Sequence, residues 1–246
     1  MRRLAVLLLV LALSGCSGSA SVKPVRVSLL SGTGPVVVTL GDSVPAGSAC
    51  DCTPFPDLYA QKLSPAGRSV NLAQGGYTTT DVQAQIADAD VQSDLRAASV
   101  VLVMIGANDL AATFAGGGDD SDYQATANTV ESNVQNIVAT IELMRTPPVT
   151  VLVLGYWNVV KDGAVGLAEY GAVGLDTADA ATQYCNQALR QAAQQSGGRY
   201  LATTPIFKGP DRDHDPTGLL ASDGDHPNAA GHEAIANAVF TAVPHA

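Results

Sequence analysis

A serine hydroxyl is a poor nucleophile until a neighbouring base takes its proton, and imidazole is the side chain whose pKa suits that task near neutrality. The sequence offers Ser43 in Gly41-Asp42-Ser43 and His226 in Asp223-Gly224-Asp225-His226-Pro227-Asn228. A working imidazole needs a carboxylate on its other nitrogen, which fixes the tautomer and stabilises the charge that develops. Asp223, three residues before His226, reaches it within one turn. Attack on a carbonyl also puts negative charge on its oxygen, so fixed donors must wait there. Candidates are the N–H of Ser43, the N–H of Gly76 in Gly75-Gly76, and the side-chain amide of Asn108 in Gly106-Ala107-Asn108-Asp109. Alone, each piece reads as an ordinary turn or cap. Their joint placement along the chain gives them weight.

That placement follows from alternating short β-branched runs and longer helical stretches. Strands are expected over residues 35–40, 70–73, 100–105, 149–154 and 200–202. Helices are expected over 57–63, after a cap at Thr80 or Asp81, over 121–144 with Pro147-Pro148 as the stop, over 176–195 and over 228–243. Residues 100–105 are apolar on both faces, as a central strand under two helical layers requires. Alternation of this kind predicts a parallel sheet covered on both sides, because each crossover needs a helix-length connection. In such sheets ligands meet the loops that leave the C-terminal ends of strands. The Gly-Asp-Ser, Gly-Gly and Gly-Ala-Asn-Asp pieces all fall at such ends.

In combination, GDS after the first strand, NLAQGG after the second, GAND after the third and DGDHPN before the last helix resemble the four motif blocks of the SGNH, or GDSL, hydrolase family. The resemblance spans about residues 36–240. It implies a three-layer α/β/α sandwich, flavodoxin-like, with a mainly parallel five-stranded sheet. It also implies a serine esterase or acylhydrolase that cleaves carboxylic esters through an acyl-enzyme intermediate. Carried over residue by residue, the nucleophile is Ser43, the acid and base are Asp223 and His226, and the oxyanion hole is Ser43, Gly76 and Asn108. No metal or organic cofactor is implied. Val44 stands where the family name has leucine, and the doubled glycine leaves one residue of ambiguity, which spacing from Asn71 resolves toward Gly76.

Two rival readings share these loops. Asp211-Arg212-Asp213-His214 repeats the Asp-x-x-His spacing, but only His226 is followed by Pro227-Asn228 and a helix start. Acidic residues at 211, 213, 215, 223 and 225, with a second cluster at Asp119, Asp120 and Asp122, are hard oxygen ligands of the kind that hold Ca²⁺ in a binding module. Their spacing lacks the alternation and terminal Glu of a known calcium loop. His232 reads as a surface or helix-packing residue, and His245 lies near a chain end.

The first residues read as a targeting segment. Arg2 and Arg3 precede an apolar run over residues 4–13 and a small-residue close, Leu13-Ser14-Gly15-Cys16. The run is shorter than the roughly 20 residues a membrane span needs. LSGC resembles a bacterial lipoprotein signal, with Cys16 as the lipidated residue; ordinary secretion with cleavage a few residues later is the alternative. The expected organisation is a signal peptide over 1–15, a tether over 16–34 and the hydrolase domain over 35–246. The expected location is the outer face of the cell membrane, or the medium. Cys50, Cys52 and Cys185 then sit in an oxidising compartment, where at most one intrachain bridge forms; which pair forms it, or whether they hold zinc, stays open.

The formal net charge of −10 argues against nucleic acid as a partner, since phosphate binding needs a lysine- and arginine-rich surface. A small acyl ester is the first expectation for substrate, with acetylated sugars, lysophospholipids and thioesters as further classes the family takes. Loops over 110–122 and 157–175 are expected to shape the acyl and alcohol sites, with Phe114, Trp157, Val159 and Val160 either lining them or folding onto the core. Activity is expected to rise with pH as His226 loses its proton, with a midpoint of roughly 6 to 7. Oligomeric state is not read from this sequence.

Overall fold

In a computed structural model, which describes residues 34–145 and 149–243, five runs rich in β-branched and aliphatic residues make the sheet. They are β1 (Val36–Gly41), β2 (Arg68–Asn71), β3 (Val100–Met104), β4 (Thr150–Leu154) and β5 (Arg199–Leu201). All pairings are parallel and the order is β2-β1-β3-β4-β5. This is the flavodoxin-like order, which changes direction between β1 and β3. β3 is buried along its whole length, as its two-sided apolar pattern requires.

Nine helices lie among the described residues: α1 (Ser43–Ala46), α2 (Phe55–Leu63), α3 (Thr79–Gln85), α4 (Ala89–Ala97), α5 (Ala107–Ala115), α6 (Asp120–Leu143), α7 (Gly163–Gln195), α8 (Thr204–Lys208) and α9 (Ala229–Ala242). A short 3-10 turn covers Pro216–Leu219. α2 packs with α9, while α6 packs with α7, α3 and α5. The α2–α9 seam is specific: the His232 ring stacks on Phe55 and its Nδ1 accepts from the Phe55 N–H at 3.2 Å, taking up one orphan donor of a helix start. Lys62 and Glu233 close the same seam with a 2.6 Å ion pair.

The expected strands hold with ends moved by one or two residues, and several helices depart from expectation. α3 is capped by Thr78, not by Thr80 or Asp81; Thr78 and Asp81 form a reciprocal capping box, a pattern that places the cap three residues before the acid. α5 runs through residues 110–115 of what was expected as a loop over 110–122, and α6 takes its last three. α7 begins at Gly163, inside the expected loop over 157–175, and is broken at Gly171, whose φ of 65° and ψ of 178° are non-helical. Short α4, α8 and the 3-10 turn carry too few apolar repeats to announce themselves. The expected stop at Pro147-Pro148, the signal peptide, Cys16, most of the tether and His245 lie outside the described residues.

Cys50 and Cys52 are joined to each other, and Cys185 is a free, buried thiol. No helix among the described residues is long and apolar enough to cross a membrane.

Candidate active site

The nucleophile candidate sits where β1 turns sharply into α1. A Cβ on Gly41 would stand 2.2 Å from the carbonyl oxygen of Met104, so only glycine lets β1 end this close to β3. Asp42 follows as the α1 cap: its N–H donates to Met104 O at 3.2 Å and its Oδ1 accepts from the Val44 N–H at 3.1 Å. Ser43 is thereby fixed as the first residue of α1, half-buried.

Two further loops close on that turn from the neighbouring strands. From β2, Gln74 N–H donates to Gly41 O at 3.0 Å and Asn71 Nδ2 donates to Pro45 O at 2.7 Å. A Cβ on Gly75 would stand 3.9 Å from the Ser43 Cβ, so Gly75 packs beside the serine. Gly76, at φ 82°, opens onto free space, with its backbone left uncovered. From β3, Asn108 lies in the first turn of α5 and donates through Nδ2 to Tyr77 O at 2.8 Å; an amide has two N–H donors, which leaves one. The neighbouring Asp109 accepts from Thr79 N–H at 3.0 Å and from Thr79 Oγ1 at 2.8 Å, holding the start of α3 against α5. Burial raises the Asp109 pKa, with those two bonds opposing.

His226 reaches the same edge on the loop before α9. Its Nδ1 lies 2.7 Å from Asp223 Oδ2, while Asp223 Oδ1 accepts from the N–H groups of Asp225 at 3.0 Å and His226 at 3.1 Å. Burial pushes the Asp223 carboxyl up, but its bonds to His226 and to those N–H groups outweigh burial and leave its pKa below the ordinary value. The loop is pinned behind His226: Ala221 N–H donates to His226 O at 2.7 Å, Leu220 pairs with Pro227, and Asn228 caps α9 through the Gly231 N–H. His226 Nδ1 is thus engaged, and Nε2 is the nitrogen left for a substrate-side proton. Ser43 and His226 make no direct hydrogen bond; His226 stands near enough to Asp42, the residue before Ser43, to favour the ionised form of that carboxyl. Contacts of this kind are often long before substrate binds.

The rival histidine is placed differently. His214 is 68% exposed in its side chain and lies 3.8 Å from Asp213, with no engaged carboxylate. The acidic runs also have local roles: Asp119 caps α6 through Ser121 and Asp122, and Asp215 caps the 3-10 turn through Thr217. Of the residues expected either to line those loops or to fold onto the core, two do the latter. Trp157 is fully buried and stacks on Phe207 at 3.8 Å, and Val159 is buried. Phe114 packs edge-on to Tyr170 at 5.3 Å.

Sequence reasoning missed the supports. Tyr156, after β4, donates its hydroxyl to Asp42 Oδ2 at 2.5 Å, and both residues are buried. Burial pushes the Asp42 carboxyl up to about 7, against the Tyr156 and Val44 hydrogen bonds, which favour its ionised form. Asp225, beside His226, is likewise raised by burial and feels Asp223, Lys161 and Glu169. The sequence signals Asp42 only as a turn residue with a helix-capping side chain, a role it keeps at the start of α1; its bond to Tyr156 has no local signature.

The family model for GDSL-like lipases and acylhydrolases matches residues 39–234. The chain belongs to this family. It is accordingly a carboxylic ester hydrolase, and its sheet has the family's fold. Among solved structures, it is similar to a lipase, Lip_vut3, from a goat rumen metagenome: 17% identity, TM-score 0.66, covering 84% of this chain and 96% of that one. A catalytic mutant of Axe2, an acetylxylan esterase from Geobacillus stearothermophilus, gives 21% identity and a TM-score of 0.57 over 85% and 94%. A phospholipase A1 from Streptomyces albidoflavus NA297 gives 22% and 0.58 over 85% and 100%. At these identities the likeness is one of fold. No curated protein matches in sequence.

Proposed function

We propose that this GDSL-family hydrolase cleaves its ester with Ser43 as nucleophile, His226 as base and then acid, and Asp223 as the carboxylate that orients and stabilises the imidazole. The observation that carries this reading is the 2.7 Å Asp223–His226 pair, whose imidazole lies near enough to Asp42, the residue before Ser43, to favour its ionised form. In the first step the Ser43 oxygen attacks the ester carbonyl while His226 Nε2 takes the hydroxyl proton. The tetrahedral oxyanion is held by the N–H groups of Ser43 and Gly76 and the free Asn108 N–H. His226 returns its proton to the departing alcohol, leaving an acyl-serine, and water activated by the same imidazole releases the acid.

A short acyl group on a polar alcohol suits the surroundings best. Trp157 and Val159 are withdrawn into the core, and Lys161 and Glu169, paired with each other at 2.5 Å, are the charged side chains outside the triad that act on Asp225, giving that side a polar rim. This rim favours a carbohydrate O-acetyl ester as the second reading of the same site. A panel of p-nitrophenyl esters beside acetylated xylan and peptidoglycan tests both: acetate should be cleaved faster than octanoate. His226→Ala should abolish turnover while His214→Ala keeps most of it, and the reverse result would reassign the base. Export and lipid attachment at Cys16 complete the proposal on the strength of residues 1–16. Cys16→Ser should then move the protein from the membrane fraction to the soluble one.

A further inference from the structure

The nucleophile turn and the oxyanion asparagine leave different strands, and something must hold them in register. β1 and β4 are separated by β3, so a side chain from the end of β4 that reaches the β1 turn crosses the end of β3. Tyr156 does this. Its hydroxyl donates to Asp42 Oδ2 at 2.5 Å, and the backbone N–H of Ala107, the residue before Asn108, lies near enough to the same phenol to influence its ionisation. The other Asp42 oxygen accepts from Val44, inside the α1 turn that begins with Ser43. One hydroxyl therefore binds the residue before the nucleophile while lying beside the residue before the oxyanion donor.

Tyr156 is itself clamped. Its N–H donates to Asn186 Oδ1 at 2.8 Å, and its carbonyl accepts from Asn186 Nδ2 at 2.8 Å and Thr204 Oγ1 at 3.0 Å. The glycine before it is needed for this: a Cβ on Gly155 would stand 2.5 Å from Asn186 Oδ1 and 2.3 Å from the Tyr200 hydroxyl. α7 and α8 thus fix the tyrosine backbone, and the ring carries that position to the reacting edge.

Resting on the serine mechanism above, we propose that Tyr156 and Asp42 are paired positioning residues, one hydroxyl and one buried carboxylate that together set the distance between Ser43 and Asn108. The carboxylate form of Asp42 is the working form, because only it accepts from Tyr156 and Val44 while favouring the imidazolium that forms at His226. Tyr156 from the end of β4, His226 and Asp225 from the loop before α9, and Cys185 from α7 are the titratable groups facing Asp42. Of these, Tyr156 and His226 favour its ionised form and Asp225 opposes it. Loss of the Tyr156 hydroxyl therefore raises the pH at which Asp42 ionises.

The test is Tyr156→Phe, which keeps the ring, assayed for kcat and KM on p-nitrophenyl acetate from pH 5 to 9. Expected are a fall in kcat of about tenfold or more with KM nearly unchanged, and an acid limb moved to higher pH by about half a unit or more. A packing role alone predicts no movement of the limb. Asp42→Asn, matched in shape, is the second variant: it should lose a similar factor, and adding Tyr156→Phe to it should cost less than twofold more. Wild-type kcat in either folded variant, an unmoved limb in Tyr156→Phe, or fully additive losses would overturn the proposal. Ser43→Ala separates the two levels, because activity surviving in it refutes the serine mechanism, whereas its loss leaves the Tyr156 result to stand or fall alone.

Discussion

Asp42 is a carboxylate placed where the chain would be more stable without its charge. Its pKa rises from 3.8 to about 7 through burial. The folded protein therefore holds a proton that the unfolded chain releases between those values, so this group makes stability fall as pH rises across that window. Above pH 7 the charged form costs on the order of 4 kcal/mol, with the Tyr156 and Val44 bonds already counted. Asp42→Asn should accordingly raise the thermal midpoint at pH 8 while lowering kcat; an Asn variant that melts lower at pH 8 than the wild type would remove this account of the residue. His232 works in the opposite sense. Burial, with a smaller contribution from His226, brings its pKa down from 6.5 to about 4, so the unfolded chain takes up a proton that the native protein refuses. Stability is therefore gained as pH rises from about 4 to 6.5, on the order of 3 kcal/mol. His232→Asn retains an acceptor for the Phe55 N–H and removes the titration. Thermal melts of that variant between pH 4 and 6.5 should show a flatter dependence than wild type, and an unchanged slope would assign the effect elsewhere.

At the level of elements, what was legible depended on whether a segment carried a period. β1, β3 and β4 are runs of Val, Leu and Met with no competing pattern, and α6 repeats Val130, Val134, Ile137, Val138 and Ile141 on one face, so all were readable within a residue or two. α5 was hidden because its start, Gly106-Ala107-Asn108-Asp109, is made of turn formers; Asp109 is spent on Thr79 rather than on a turn. The first segment of α7 was hidden by glycines at 163, 166 and 171, of which Gly166 packs against the Lys161 carbonyl, where a Cβ would meet oxygen at 2.6 Å. Thr78 illustrates how a capping box outranks nearby candidates. Thr78→Ala removes the acceptor that Asp81 N–H uses and should cost about 1 kcal/mol in a denaturant titration. It should also lower kcat, because α3 follows directly on Gly76; wild-type stability and turnover in this variant would show that the box does not matter to the oxyanion loop.

Across the whole molecule, the candidate site was more legible than its supports. Ser43, Gly76 and Asn108 are polar or glycine residues that follow strand ends, Asp223 and His226 lie on the loop before α9, and short motifs expose all five. The residues that align them, Asp42, Tyr156, Asn186 and Thr204, come from four separate parts of the chain, and no local spacing joins them. Tyr156 in particular reads as an aromatic following a strand, the commonest kind of core residue. The parallel order β2-β1-β3-β4-β5 supplies the missing information, since it places the ends of β2, β1 and β3 side by side and leaves β4 one strand further out. The net charge of −10 acts at this scale too: it sets an electrostatic preference for neutral or cationic substrates.

Covalent trapping tests the centre of the account most directly. Incubation with a fluorophosphonate followed by intact-mass and peptide mass spectrometry should find one adduct, carried by Ser43, absent from Ser43→Ala and formed far more slowly in His226→Ala than in His214→Ala. An active enzyme that takes up no phosphonate, or one whose adduct persists in Ser43→Ala, would contradict it.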